Sequence, residues 1–307
     1  MSPRTLRLLA GVLAALAAVL AGRAAWERSA ARPDLLSPGA ERATRVALRG
    51  PGGEVALEKG AEGWRLTRPF PFPADAAKVS AFLRALAGAR LSGPLSDDPD
   101  KHALFGVDEA SSTRVTLDFA GSKPLDLYVG RSGAAPDSFF LRRPGSAEVR
   151  EARGMGRWEV DEKPGPWADR LVTAQDSTRV TAVRIRSLKG ALLLAREGGR
   201  WRLAGRPSDL PAKTGRKIEA LLTALTRLEA DEVVPEYASG GAPPELALAV
   251  SALRADGQGS QTVLELSAGP VDKSFRHPVR VSGKGPVLYL MSRWRLEPFL
   301  LGPADLR

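Results

Sequence analysis

Residues Val46 to Trp64 recur as Val183 to Trp201, 137 positions later, and the copy continues to the end of the chain. Val46, Leu48, Val55, Leu57, Trp64 and Leu66 face Val183, Ile185, Leu192, Leu194, Trp201 and Leu203 at that spacing. Further on the spacing becomes 139, so that Val79, Phe82, Leu83 and Leu86 match Ile218, Leu221, Leu222 and Leu225, and Leu125, Leu127 and Gly130 match Leu264, Leu266 and Gly269. A long internal recurrence marks a structural unit written twice, and it constrains the architecture more than any local propensity. The positions that recur are packing residues and turns. No constellation of acids, bases or metal ligands recurs with them.

Each copy reads the same way. Val46-Ala-Leu-Arg alternates, Gly50 to Gly53 turns, and Glu54 to Lys59 alternates again, which is a hairpin pattern. Gly60 to Gly63 leads into a third strand, where Trp64 and Leu66 share a face. Pro69, Pro71 and Pro73 end pairing, Asp75 is the expected N-cap, and Val79, Phe82, Leu83 and Leu86 form a helical stripe that Gly88 ends. In the second copy Pro207 and Pro211 break the strand, Thr214 is the expected cap, and the stripe runs Ile218, Leu221, Leu222, Leu225 and Leu228. Loops at Ser92 to His102 and Pro235 to Pro244 precede four further strands in each copy. Trp64 and Trp201 are expected in the core, clamping helix to sheet. The expected fold class is α+β: a tandem duplication of a module of antiparallel strands with one packed helix, behind an N-terminal transmembrane helix.

Arg4 and Arg7 precede an uncharged Leu/Ala run from Leu8 to Gly22, followed by Arg23, Glu27 and Arg28. A spanning helix needs about 20 residues. The segment 6–26 reaches that length when Arg7 and Arg23 snorkel to the interfaces, with Trp26 as an interfacial anchor. A cleaved signal peptide is the alternative, with small residues at Val19/Ala21 or Gly22/Ala24 for a peptidase. Residues 1–26 are thus a membrane anchor or signal peptide, 27–43 a polar spacer, 44–170 the first repeat and 171–307 the second. Few residues precede the span, so the bulk of the chain is expected outside the bacterial inner membrane, in the periplasm.

Composition narrows the chemistry. The net charge is +10, of which the first 32 residues, with five arginines and one glutamate, supply +4. The remaining +6 is interspersed with acids and forms no basic stripe, so nucleic acid is not an expected partner. There is no cysteine, which excludes thiol nucleophiles, disulfides and zinc–thiolate sites. Only two histidines, His102 and His277, are present, too few for an imidazole-rich metal site. Asp97, Asp98 and Asp100 resemble part of a calcium loop but lack its glycine and distal glutamate, and a solvated turn is the expected reading. His102 is expected exposed on that loop. His277 precedes Pro278 with no serine-elbow motif nearby. The glycines at 50–53 and Gly283-Lys284-Gly285 read as hairpin turns, since neither carries a phosphate-loop ending. Glu58, Asp118, Asp126 and Glu265 alternate with apolar residues and are expected to face water. No catalytic, cofactor-binding or metal residues are assigned, and no cofactor is expected.

Several stretches carry a family resemblance. The order Val-x-Leu, glycine turn, Trp64-Arg-Leu-Thr-x-Pro, Pro73-Ala-Asp and Val79-x-x-Phe-Leu-x-x-Leu resembles the domain-of-unknown-function 4340 family. So do Leu104-Phe-Gly-Val, Leu125-Asp-Leu-Tyr-Val-Gly and Trp167-Ala-Asp-Arg-Leu-Val, and the likeness covers Arg45 to about Leu300. In the second copy the Pro-Ala-Asp trio shrinks to Pro211-Ala212. The resemblance implies a bacterial, membrane-anchored protein associated with ABC-type export systems or gliding-motility components. It implies no catalytic residues. The expected function is therefore non-enzymatic: an extracytoplasmic interaction protein with protein partners in a transport or envelope complex. The alternative is an envelope-polymer hydrolase with carboxylates of both repeats meeting in a cleft.

Overall fold

The computed structural model describes residues 35–204, 212–236 and 243–306. The expected membrane segment 6–26 and the Pro207–Pro211 break lie outside these residues. Among the described residues, no helix is long and apolar enough to cross a membrane.

Antiparallel sheets dominate, with few helices. The strands are β1 (Ala43–Gly50), β2 (Gly53–Gly60), β3 (Gly63–Arg68), β4 (Phe72–Pro73), β5 (Arg90–Leu91), β6 (Thr113–Phe119), β7 (Ser122–Ser132), β8 (Ser138–Arg142) and β9 (Val149–Arg153). They continue with β10 (Leu171–Thr173), β11 (Val180–Ser187), β12 (Gly190–Glu197), β13 (Arg200–Leu203), β14 (Leu228–Glu229), β15 (Glu232–Pro235), β16 (Leu246–Leu253), β17 (Ser260–Ala268), β18 (Arg276–Val281) and β19 (Val287–Ser292). The two long helices are Ala76–Gly88 and Ala212–Thr226.

The chain forms two compact units, one holding the described residues up to Gly53 with Ser80–Glu162, the other Glu54–Val79 with Lys163–Arg307. In the first unit the strands run β1-β6-β7-β8-β9-β5. In the second, β2, β3 and β4 pair in sequence, β10 pairs with β14, and an eight-stranded sheet runs β13-β12-β11-β16-β17-β18-β19-β15. The run β11-β16-β17-β18-β19 thus repeats the order of β1-β6-β7-β8-β9.

Alternation puts one face of each sheet into a core. Val46, Leu48, Val115, Leu117, Leu127 and Val129 are fully buried in the first sheet. Val183, Ile185, Leu248, Val250, Leu264 and Leu266 are the buried set in the second. Each such side chain contributes on the order of 1.5–3 kcal/mol relative to exposure. The helical stripe Val79, Phe82, Leu83 and Leu86 is buried as its spacing predicts. Asp75 caps that helix, its carboxylate accepting from Lys78 N at 3.0 Å.

Several expectations are corrected. The helix of the second copy spans Ala212–Thr226, so Thr214 lies inside it, buried, with its hydroxyl unpartnered among the described residues, and does not cap it. Leu228 leaves the helix and begins β14. The proline stretch after β3 does not simply end pairing: Phe72–Pro73 forms β4 against β3, because the prolines leave the residues between them extended. Trp64 is buried, but Trp201 is only half-covered. The Ser92–His102 segment ends in a 3-10 turn at Pro99–Lys101 and a short helix, His102–Phe105.

Candidate binding surface

The outward faces of the two sheets are built on matching registers and filled differently. On the first, Arg49 of β1 faces Arg114 of β6, Arg114 faces Tyr128 of β7, and Tyr128 faces Arg142 of β8. The next row places Ala47, Thr116 and Asp126 side by side. These side chains close on one another. Arg114 Nε donates to Asp126 Oδ1 at 3.0 Å, and its guanidinium lies 5.8 Å from the Tyr128 ring centre. The Arg142 guanidinium lies 4.6 Å from the same ring and donates to the Val107 carbonyl at 3.1 Å. The Tyr128 hydroxyl donates to Glu109 Oε1 at 2.9 Å, and burial together with that bond raises the phenol pKa. Arg45 pairs with Asp118 at 3.6 Å. Asp118 and Asp126 are therefore half-covered and paired, rather than simply facing water.

On the second sheet the corresponding row is Arg186, Ala247, Ser267 and Arg280, and the next is Arg184, Ala249 and Glu265. Alanine and serine stand where the first sheet has Arg114 and Tyr128. Without those side chains a groove of about 570 Å³ opens over β11, β16, β17 and β18. Ala247 and Ala249 form its floor. Arg184 and Arg186 wall one side, exposed, and neither they nor Glu265 make a side-chain hydrogen bond or ion pair among the described residues. On the other side Arg280 Nε donates to Glu236 Oε1 at 2.6 Å. Free guanidinium groups beside an apolar floor recognise carboxylates and aromatic faces, through forked hydrogen bonds and stacking.

A second concavity, of about 510 Å³, brings Asp75 near Asp231, Glu232, Lys78, Arg170 and Arg276. This is where carboxylates of both copies meet, and each is engaged. Asp75 caps its helix. Asp231 accepts from Ser292 N at 2.6 Å and Arg295 Nε at 2.7 Å, and Glu232 accepts from Arg276 at 2.6 Å. Burial alone would push Asp231 up, but the bonds from Arg295 and Ser292 outweigh it and hold the carboxyl below its ordinary value. A general acid needs the opposite shift.

The remaining singled-out residues serve the framework. His102 is half-buried, not exposed: its Nε2 donates to the Ala147 carbonyl at 2.9 Å. His277 is buried on β18, and its Nδ1 donates to the Gly269 carbonyl at 2.9 Å. Asp98 accepts from Asp100 N and caps the 3-10 turn, and among the described residues no cluster of His, Asp and Glu is arranged to hold a metal ion. The glycines at 50–53 and at 283 and 285 make the β1–β2 and β18–β19 turns. Glu58 and Glu265 are exposed as expected.

Ala247, Ala249, Ser267 and Arg280 were not singled out from sequence. The signal was available: Asp126 and Glu265 share the 139-residue spacing, while Tyr128 becomes Ser267 at the same spacing. Comparing the polar positions of the two copies, and not only the apolar ones, reveals the emptied face.

The architecture and the groove define a class, that of antiparallel sheet-and-helix proteins presenting a charged, open sheet face. The chain belongs to the family described as Domain of unknown function (DUF4340), whose model matches residues 64–249, from β3 to β16. No curated protein and no solved structure matches the chain.

Proposed function

We propose that this chain is a non-enzymatic interaction protein. In this reading it is a duplicated sheet-and-helix module held on the periplasmic side of the bacterial inner membrane by residues 6–26. It serves as an accessory of an ABC-type transport or envelope assembly, and a partner protein docks on the second sheet. The observation that carries the reading is the groove itself: two arginines, unpaired among the described residues, over an alanine floor, where the other sheet is filled by its own side chains. The matching strand order of the two sheets supports duplication. The apolar run 8–22 with flanking arginines supports the anchor. The family's association with export systems supports the context. The hydrolase alternative has less support, because the carboxylates that meet across the copies are capped or ion-paired.

The test is capture of the full chain from detergent-solubilised membranes after chemical crosslinking. Recovery of a transport or envelope component that is lost in Arg186→Glu supports the reading. Recovery of no such component, or turnover of an envelope polymer by the purified chain, overturns it. Protease digestion of intact spheroplasts checks topology: a chain that resists external protease contradicts the periplasmic placement.

A further inference from the structure

The first sheet displays what belongs in the space that the second leaves empty. There the row Arg49, Arg114, Tyr128, Arg142 is completed by an aromatic ring lying between two guanidinium groups, at 5.8 Å and 4.6 Å. On the second sheet the row keeps its outer arginines, Arg186 and Arg280, and loses the ring and the inner arginine to Ser267 and Ala247. The guanidinium that would stack on the ring remains, and the ring is absent. Beside it, the position of Ala47 in the first sheet has become Arg184 in the second. The groove has therefore lost bulk along its centre and gained at its wall a cation unpaired among the described residues.

We infer that the groove binds an acidic peptide segment carrying an aromatic side chain. The ring enters the space above Ala247 and Ser267 and stacks on Arg280, as Tyr128 does on Arg142. Carboxylates flanking it pair with Arg184 and Arg186, the two wall guanidinium groups without partners among the described residues. Three features select this occupant over others. An aliphatic side chain would fill the floor but leave Arg280 unstacked. A basic segment would meet Arg184 and Arg186 head-on and gain only Glu265, since Glu236 is already engaged by Arg280. A bare anion would engage the wall and leave the alanine floor wet. Arg280 is held by Glu236 through Nε, which fixes the guanidinium plane while leaving its face available for stacking.

The inference rests on the reading of the chain as an interaction protein, and its test is separable from that of the reading. The probe is a fluorescein-labelled peptide with one central tyrosine flanked by aspartates and glutamates, titrated against the detergent-solubilised full chain. Binding is expected to weaken about tenfold when the tyrosine is replaced by alanine. It is expected to be lost when the flanks are lysine, and to weaken as salt is raised. In the protein, Ala247→Arg together with Ser267→Tyr transplants the first sheet's filling into the groove and is expected to abolish binding. Arg186→Glu, a surface change, is expected to weaken it at least as much should the double variant fold poorly. Arg49→Glu, at the matching place on the filled sheet, is expected to leave binding unchanged. Equal affinity for the tyrosine and alanine peptides overturns the inference. So does binding that survives both groove variants, or no binding of the acidic aromatic peptide at all. The last result would stand beside intact crosslinked capture of an envelope partner, which separates a wrong ligand class from a wrong function.

Discussion

The guanidinium of Arg142 stacks on the ring of Tyr128 at 4.6 Å, across neighbouring strands of the first sheet. At the matching register of the second sheet Arg280 faces Ser267. One pair closes a sheet face, and the other leaves it open.

Tyr128 is nearly buried, and its contacts are of two kinds, the guanidinium groups of Arg114 and Arg142 on its ring and the hydroxyl bond to Glu109. Tyr128→Phe should cost about 1.5 kcal/mol, the low end for a hydrogen bond to a charged group because Glu109 is exposed. Tyr128→Ser should cost about 3 kcal/mol or more, since it also empties the stacked volume. Denaturant titration of the two variants separates the terms, and equal losses would mean that the ring contributes nothing.

Gly130 lies where β7 passes the short helix after residue 102. A Cβ there would sit 2.3 Å from the Phe105 carbonyl oxygen, which is backbone and cannot rotate away. Gly130→Ala should destabilise the protein by about 1–3 kcal/mol through forced backbone movement. At Gly269, the matching position, the nearest atom to such a Cβ is Pro278 Cγ at 3.3 Å. Gly269→Ala should cost clearly less, and thermal melts of the two variants make the comparison.

Glu151 is buried, accepting from Ser138 Oγ at 2.8 Å, Arg153 at 2.8 Å and Ala134 N at 3.2 Å. The Ser138 bond, with help from Arg153 and Ala134, outweighs burial and holds the carboxyl below the ordinary glutamate value. A lowered folded pKa means that its stabilisation is complete above about pH 4.3, the unfolded value, and is lost as pH falls through the folded value. Melting temperature measured from pH 6 down to pH 3 should therefore fall, and less steeply for Glu151→Gln. An unchanged slope in that variant would refute the assignment. Asp108, Asp231 and Asp305 are shifted the same way, so the slope should lessen and not vanish.

Tyr289 is the reverse case. Burial, with a smaller push from Asp169, raises its phenol to about 12. The neutral form is the one the fold favours, so its contribution is present below about pH 10, the unfolded value, and is lost as pH rises towards about 12. Absorbance titration of the folded chain should show a tyrosine ionising about two units late, and Tyr289→Phe should remove that step. A step near pH 10 that Tyr289→Phe removes would show the ring to be solvated.

Much of the fold was legible because burial imposes a period. Alternation in Val46 to Arg49 and in Val183 to Arg186, and the i, i+3, i+4, i+7 stripe after Asp75, follow from one face of each element being covered, which any sequence must obey. Thr214 shows where the reading stopped. A threonine before a stripe looks like a cap, but the helix extends back to Ala212 and buries it. His102 likewise looked exposed until the chain brought Ala147 to its ring.

The sequence by itself determined the repeated alternation, the turns, the capped first helix and the family. These are local or periodic properties, and each residue carries its own share of them. Only the tertiary structure decided that Arg186, Ala247, Ser267 and Arg280 form one row, because they come from four strands spread over 95 positions of the chain. Cross-strand register is set by the pairing of whole strands, so a missing ring becomes a groove only when its neighbours are in place.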